Sequence, residues 1–97
     1  MTPRESATET RLTRAVKLAG ALTYKLAPTT AGIPDRIVVW PTGVVDFVEV
    51  KADSGKVAPI QHRRIEELRD RGANVFVARG FAGVDAYVEA RLAALGR

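Results

Sequence analysis

The sequence predicts a single mixed α/β domain: a four-stranded mixed sheet flanked by helices, in the order αβββαβα. Three observations carry this. Runs rich in β-branched residues alternate with glycine- and proline-bearing turns, apolar residues recur at helical spacing in three segments, and a strand–helix–strand unit follows a tight hairpin. At 97 residues the chain is long enough for one core and too short for two, so residues 1–97 are read as one domain. With 46% hydrophobic and 27% charged residues, it has the balance of an ordinary globular protein rather than a disordered one.

The first helix runs from Thr2 to about Ala19. Two capping boxes offer a start, Thr2-Pro3-Arg4-Glu5 and Ser6-Ala7-Thr8-Glu9, and the pattern does not choose between them. Leu12, Ala15, Val16 and Ala19 form its apolar stripe. Glu5 and Glu9 extend that stripe backwards, so an acid near the helix start faces the edge of the core; the plain alternative is that Glu9 completes a cap. Gly20 ends the helix. Leu22 to Leu26 alternates as a short strand stopped by Pro28, and Thr29 to Gly32 is a loop.

Ile37–Trp40 and Val44–Val50 are the next two strands, and Pro41-Thr42-Gly43 between them suits a three-residue hairpin loop whose last position is left-handed. With that loop Trp40 pairs with Val44, and carrying the register outward sets Asp35 opposite Glu49. Directly opposed side chains on one face hold their Cβ atoms about 4.5–5.5 Å apart, so two carboxylates there call for a cation or a shared proton. Lys51 falls on the Glu49 face and Val50 on the other. A four-residue loop would slip the register by one and separate the acids. Phe47 shares the Glu49 face, which points to a covered surface rather than a solvated ion pair.

Ala52 to Lys56 is a polar turn. Pro59 opens a second helix of about fourteen residues ending at Gly72, with Gln61, Ile65 and Leu68 on one face. An amide on the core-facing stripe needs a partner; capping its own helix is the simple one. Asn74–Ala78 reads as a buried strand, Gly80 to Gly83 as a loop, and Val84 to Leu95 as a last amphipathic helix through Tyr87, Val88, Arg91 and Leu92. The strands flanking the second helix then form a parallel pair through a right-handed crossover, and the three leading strands an antiparallel meander.

Composition narrows the chemistry. Zero cysteines exclude disulfides and thiolate sites, and a single histidine, His62, excludes a multi-histidine metal centre, so carboxylates, lysine and hydroxyls remain. His62 itself is read as an exposed helix residue. The net charge of +4 and pI near 10 suit a polyanionic partner and are also ordinary for solubility. Neither a membrane-spanning run nor a signal-peptide pattern is present, which makes a cytoplasmic protein the expectation.

Pro34-Asp35 followed by Glu49-Val50-Lys51 resembles the PD-(D/E)xK nuclease signature. The wider frame resembles the VRR-Nuc family within it: an acidic first helix, Gly32-Ile33-Pro34-Asp35-Arg36, Glu49-Val50-Lys51-Ala52, Gly55, and Gln61 opening the next helix. The resemblance covers nearly the whole chain. Either short element alone is common, and their spacing together with the placed glycine and glutamine makes the combination specific. It implies a restriction-endonuclease-like fold and metal-dependent hydrolysis of DNA phosphodiesters, in stand-alone members associated with phages and bacteria that tend to self-associate.

Hard oxygen donors suit Mg²⁺ or Mn²⁺, which bind through one or two carboxylates and keep several waters. Asp35 and Glu49 would be those carboxylates, with the Val50 carbonyl a further ligand that the family implies. Lys51 would orient the attacking water or stabilise the pentavalent phosphate. Following the family, Glu9 would add a second metal contact or position a water, with Glu5 its rival, and Gln61 would hydrogen-bond within the site. Lys25, Arg36, Lys56 and Arg14 are candidate phosphate contacts, although scattered basic residues are usually solvated surface.

A homodimer is expected from the family, from the burial a small domain needs, and from apolar Trp40 and Phe81. The expected activity is a structure-selective DNA endonuclease acting on branched, flap or junction DNA. The alternatives are a non-catalytic nucleic-acid-binding or accessory module on the same fold, and a Holliday-junction resolvase.

Overall fold

Trp40 N–H donates to the Val44 carbonyl at 2.8 Å and Gly43 N–H to the Trp40 carbonyl at 2.8 Å, with Gly43 at φ +88°. The hairpin therefore closes over Pro41-Thr42-Gly43, and Arg36 faces Val48, Ile37 faces Phe47 and Val38 faces Asp46, the register expected from a three-residue loop.

The computed structural model describes residues 3–27 and 29–96. Its elements are α1 (Glu5–Leu18), β1 (Leu22–Lys25), β2 (Arg36–Val39), β3 (Val45–Lys51), α2 (Pro59–Asp70), β4 (Asn74–Arg79) and α3 (Gly80–Ala94). The sheet order is β1-β2-β3-β4, with β1–β2 and β2–β3 antiparallel and β3–β4 parallel. This is the expected mixed four-stranded sheet. The Thr2 cap and the strand stop at Pro28 fall outside the described residues.

Alternation along the strands divides the core. Val38, Trp40, Val48, Val50 and Ala78 point to one face, where Leu12 and Val16 of α1 and Val84, Tyr87 and Val88 of α3 cover them. Each such aliphatic side chain contributes about 1.5–3 kcal/mol by leaving water. Phe47, Glu49 and Lys51 point to the opposite face, which α2 covers through buried Ile65. The hairpin thus presents mostly hydrocarbon, with Asp46 and Arg36, to α1 and α3, and Glu49 and Lys51 to the α2 side.

Three expectations are corrected. Helix α1 starts at Glu5 with Arg4 as its cap residue and no side-chain cap bond; Ala7 and Thr8 N–H both donate to the Arg4 carbonyl, so Ser6 lies inside the first turn and its capping box is unused. Residues 80–83 are helix rather than loop. Gly80, at φ +65°, turns the chain from β4 directly into α3, a reversal that one left-handed glycine can make without a linker.

Trp40, read as a possible interface residue, is only 1% exposed. Its indole N–H points at Asp46 Oδ2 (3.0 Å) and the Tyr87 hydroxyl (3.2 Å). Asp46 is wholly buried and also accepts from the Tyr87 hydroxyl at 2.6 Å, from Arg91 Nε at 2.9 Å and, on Oδ1, from Arg91 Nη2 at 2.6 Å. Burial, then the hydrogen bond to Asp46, pushes the Tyr87 phenol well above its ordinary value. This network joins the hairpin, β3 and α3, away from the Glu49 face.

Candidate active site

The loop before Asp35 is seated on the first turn of α2. A Cβ on Gly32 would lie 2.6 Å from the Ile60 carbonyl oxygen, and the residue sits at φ +84°, so both space and backbone demand glycine there. Arg64 Nε donates to the Ala31 carbonyl at 3.0 Å and ties the same loop to α2. Pro34 is fully buried behind it. Asp35 is thereby delivered to the open end of the hairpin, where its Oδ2 accepts from Val50 N–H at 3.0 Å.

Glu49, 2% exposed, lies at the centre. Its Oε2 accepts from Gln61 Nε2 at 2.9 Å and lies 3.3 Å from Lys51 Nζ. Its Oε1 is buried with no hydrogen-bond partner. A buried carboxylate oxygen without a donor is costly, and here a second acid stands beside it. Burial first, then the charge of Asp35, push the Glu49 carboxyl above its usual range, against the opposing pull of Lys51 and, more weakly, of the Asp35 backbone N–H. Lys51 and Gln61 both serve Oε2, so Oε1 is the oxygen left without a donor.

Gln61 uses both ends of its amide. Its Oε1 accepts from Ala58 N–H at 2.8 Å and so caps α2, while its Nε2 donates to Glu49. Lys51, with 15% of its side chain exposed, is held by the turn after β3: a Cβ on Gly55 would meet the Ala52 carbonyl oxygen at 3.1 Å and Lys51 Cβ at 3.2 Å, so the glycine lets the turn fold closely over the lysine stem.

Asp35, Glu49, Lys51 and Gln61 are thus one cluster, with Val50 supplying a backbone N–H to Asp35. Glu9 is not joined to it by any contact among the described residues. Its Oε2 accepts from Arg36 Nη1 at 2.8 Å and its Oε1 lies 3.6 Å from Lys25 Nζ, on the α1 face of the sheet. Glu5 is exposed, so Glu9 is the helix acid that reaches the hairpin.

Arg36, expected as a phosphate contact, is instead buried between Glu9 and the Thr23 hydroxyl, which leaves it little surface for a ligand. Lys25 keeps 68% of its side chain exposed, and Lys56 and Arg14 are exposed. His62 is exposed on α2. The Glu9–Arg36 pair was legible only in part: an acid on the inward stripe of a helix signals a buried cation, but the sequence does not say which.

The donor set suits a hard divalent cation. Two carboxylates converge, one has an orphaned buried oxygen, and the neighbouring backbone carbonyl of Val50 can complete an all-oxygen set. Among the described residues no three His, Cys, Asp or Glu side chains gather into a metal-holding group.

The VRR-NUC domain family model matches residues 4–82. The chain belongs to the VRR-NUC family. The matched span contains Glu9, Asp35, Glu49, Lys51 and Gln61 and ends early in α3. A protein named "Putative nuclease p44" from Acyrthosiphon pisum secondary endosymbiont phage 1 is 39% identical over 75 residues, covering 76% of this chain and 81% of that protein. A solved structure described as a VRR-NUC domain superposes with a TM-score of 0.81 at 36% identity, covering 88% of this chain and 94% of that one. A second, described as a VRR-NUC domain protein, superposes with a TM-score of 0.66 at 18% identity over 92% of this chain and 88% of its own, and speaks to the fold alone. The VRR-NUC frame accounts for the mixed sheet. No helix among the described residues is long and apolar enough to cross a membrane.

Proposed function

We propose that this VRR-NUC domain is a Mg²⁺- or Mn²⁺-dependent deoxyribonuclease that hydrolyses internal phosphodiester bonds, with a preference for branched, flap or junction DNA. The observation that carries the reading is the buried, partnerless Oε1 of Glu49 beside Asp35. Stability alone gives no reason to bury an ionisable oxygen without a donor next to a second acid; a cation-dependent site does.

In this reading Asp35, Glu49 and the Val50 carbonyl hold the cation. Bound there, it supplies Lewis acidity toward the phosphoryl group and an acidified water. Val50 N–H fixes Asp35 through Oδ2, and Gln61 and Lys51 fix Glu49 through Oε2, so both carboxylates are pre-positioned. The Lys51 ammonium, anchored at Glu49, orients the attacking water or balances charge on the pentavalent phosphate. Glu9 acts from the other face of the sheet as a positioning residue, holding Arg36, the residue next to Asp35. The substrate is a polyanion, in keeping with the net charge of +4.

Self-association into a homodimer is part of the proposal. Trp40 no longer supports it, being internal. What supports it is the apolar surface of Leu18 (89% exposed), Leu22 and Tyr24 (57% each) around edge strand β1.

The test is cleavage of labelled single-stranded, duplex, flap, splayed-arm and four-way-junction DNA with Mg²⁺, Mn²⁺ or EDTA, comparing wild type with Asp35→Ala and Lys51→Ala. Metal-dependent cutting lost in both variants is the expected result, and the preferred substrate assigns the selectivity, a junction-only preference marking a resolvase. DNA bound equally by all three proteins and cut by none would replace the enzyme with a binding module.

A further inference from the structure

We propose that Arg79 is a phosphate-binding residue of this site, engaging the nucleic-acid backbone beside the phosphate that Lys51 faces. The inference rests on the nuclease reading for its choice of DNA as the source of the phosphate.

Parallel pairing of β3 with β4 sets Arg79 in register with Lys51 at the C-terminal ends of both strands. Residues paired in this way project to the same face. A second contact places Arg79 there independently. Gly55 packs on Lys51 Cβ, and Arg79 Nε donates to the Gly55 carbonyl at 2.9 Å, so the guanidinium lies over the turn that covers the lysine stem.

Arg79 is exposed, and among the described residues its Nη1 and Nη2 have no partner. Arg11, Arg36, Arg64 and Arg91 are each paired with a carboxylate, those of Asp85, Glu9, Glu67 and Asp46 in turn, whereas Arg14, Arg69 and Arg71, which are not so paired among the described residues, lack Arg79's register with Lys51. Asp53, whose carboxylate fills the space over Gly80 at the start of α3, makes no ion pair with Arg79 among the described residues. A guanidinium pinned through Nε keeps its planar Nη edge aimed outward, a geometry that takes two phosphate oxygens at once. Lys51, largely buried and anchored on Glu49, cannot serve the flanking backbone as well.

The competing role is a tether that only holds the 52–56 turn. Arg79→Gln separates the two, because its amide can still donate to the Gly55 carbonyl while the charge is gone; Arg79→Lys keeps the charge, and Arg79→Ala removes both. Anisotropy of a labelled duplex is measured in EDTA between 50 and 200 mM salt, beside steady-state cleavage.

The phosphate role predicts that Arg79→Gln and Arg79→Ala each lower the salt slope by about one and weaken binding about 5- to 10-fold, while Arg79→Lys keeps the slope. It also predicts a several-fold rise in KM with little change in kcat for Arg79→Gln. Arg79→Gln matching wild type in slope and KM overturns the proposal, whether or not Arg79→Ala is impaired. If the wild type cuts nothing, the nuclease reading falls while the salt slopes still decide Arg79.

Discussion

Gln61 joins Glu49 to helix α2 with the two ends of one amide: Nε2 donates to Glu49 Oε2 at 2.9 Å while Oε1 accepts from Ala58 N–H at 2.8 Å. Capping and site-building are therefore the same interaction. Gln61→Ala should cost about 1 kcal/mol from the lost cap and lower kcat/KM about 10-fold as Glu49 loses its donor. Gln61→Glu keeps the acceptor for Ala58 but sets a carboxylate against Glu49, so its cap survives and its activity falls further. Thermal melts and single-turnover rates on the same preparations separate the effects; equal activity in both variants would contradict the shared role.

Glu49 should be a site where function opposes stability. Its carboxyl is raised in the folded protein by burial and by Asp35, so the native state holds the proton more tightly than the unfolded chain. Stability from this group is present below the unfolded value and is lost as pH rises from there through the raised native one. Glu49→Gln should thus melt a few degrees above wild type at pH 8 in EDTA, since about 1 kcal/mol moves Tm by roughly 4–8 °C in a domain of this size, and the advantage should vanish at pH 4. Divalent cation should raise the wild-type Tm and leave that of Glu49→Gln unchanged.

Two glycines with the same backbone demand should differ in consequence. Gly43 and Gly32 sit at φ +88° and +84°, but a Cβ at Gly43 meets nothing within 4 Å, whereas at Gly32 it meets the Ile60 carbonyl oxygen at 2.6 Å. Gly43→Ala should cost about 1–2 kcal/mol and leave the rate intact. Gly32→Ala should cost more and also slow cleavage at least 10-fold, because the loop that delivers Asp35 must lift from α2. Chemical denaturation and turnover measured together check this; an active Gly32→Ala protein would contradict the seating argument.

The Asp46 network should be a stability device alone. Arg91→Ala leaves a wholly buried carboxylate without its bidentate partner, at a cost of about 3–5 kcal/mol. Trp40→Phe removes a single donor and should cost about 1 kcal/mol. At temperatures where each variant remains folded, cleavage should match wild type within about 2-fold; a large rate loss in folded Trp40→Phe would tie the network to the site.

The hairpin was the legible part of this molecule. Pro41-Thr42-Gly43 suits a three-residue closure, and that closure, rather than the four-residue one also open to the sequence, sets Asp35 against Glu49 and turns Lys51 to the same face. Gln61 was legible as an amide on an apolar stripe, in need of a partner. What was not legible depends on contacts distant in sequence. Asp46 alternates like a core position and Arg91 falls on the buried stripe of α3, yet nothing local says that they meet, so Trp40 looked free for an interface. The glycines of 80–83 looked like a loop because the pattern does not distinguish a flexible linker from a single left-handed turn into a helix. Arg36 looked available to phosphate because the helix acid that neutralises it lies 27 residues away.

Titration calorimetry of Mn²⁺ into wild type, Asp35→Asn and Glu49→Gln at pH 7.5 decides whether these two carboxylates hold the cation. The wild type should bind with an affinity that weakens as pH falls and Glu49 is protonated, and both variants should lose at least 10-fold in affinity with their fold intact by circular dichroism. Mn²⁺ binding that is undiminished in Asp35→Asn and Glu49→Gln would place the cation elsewhere and contradict the site.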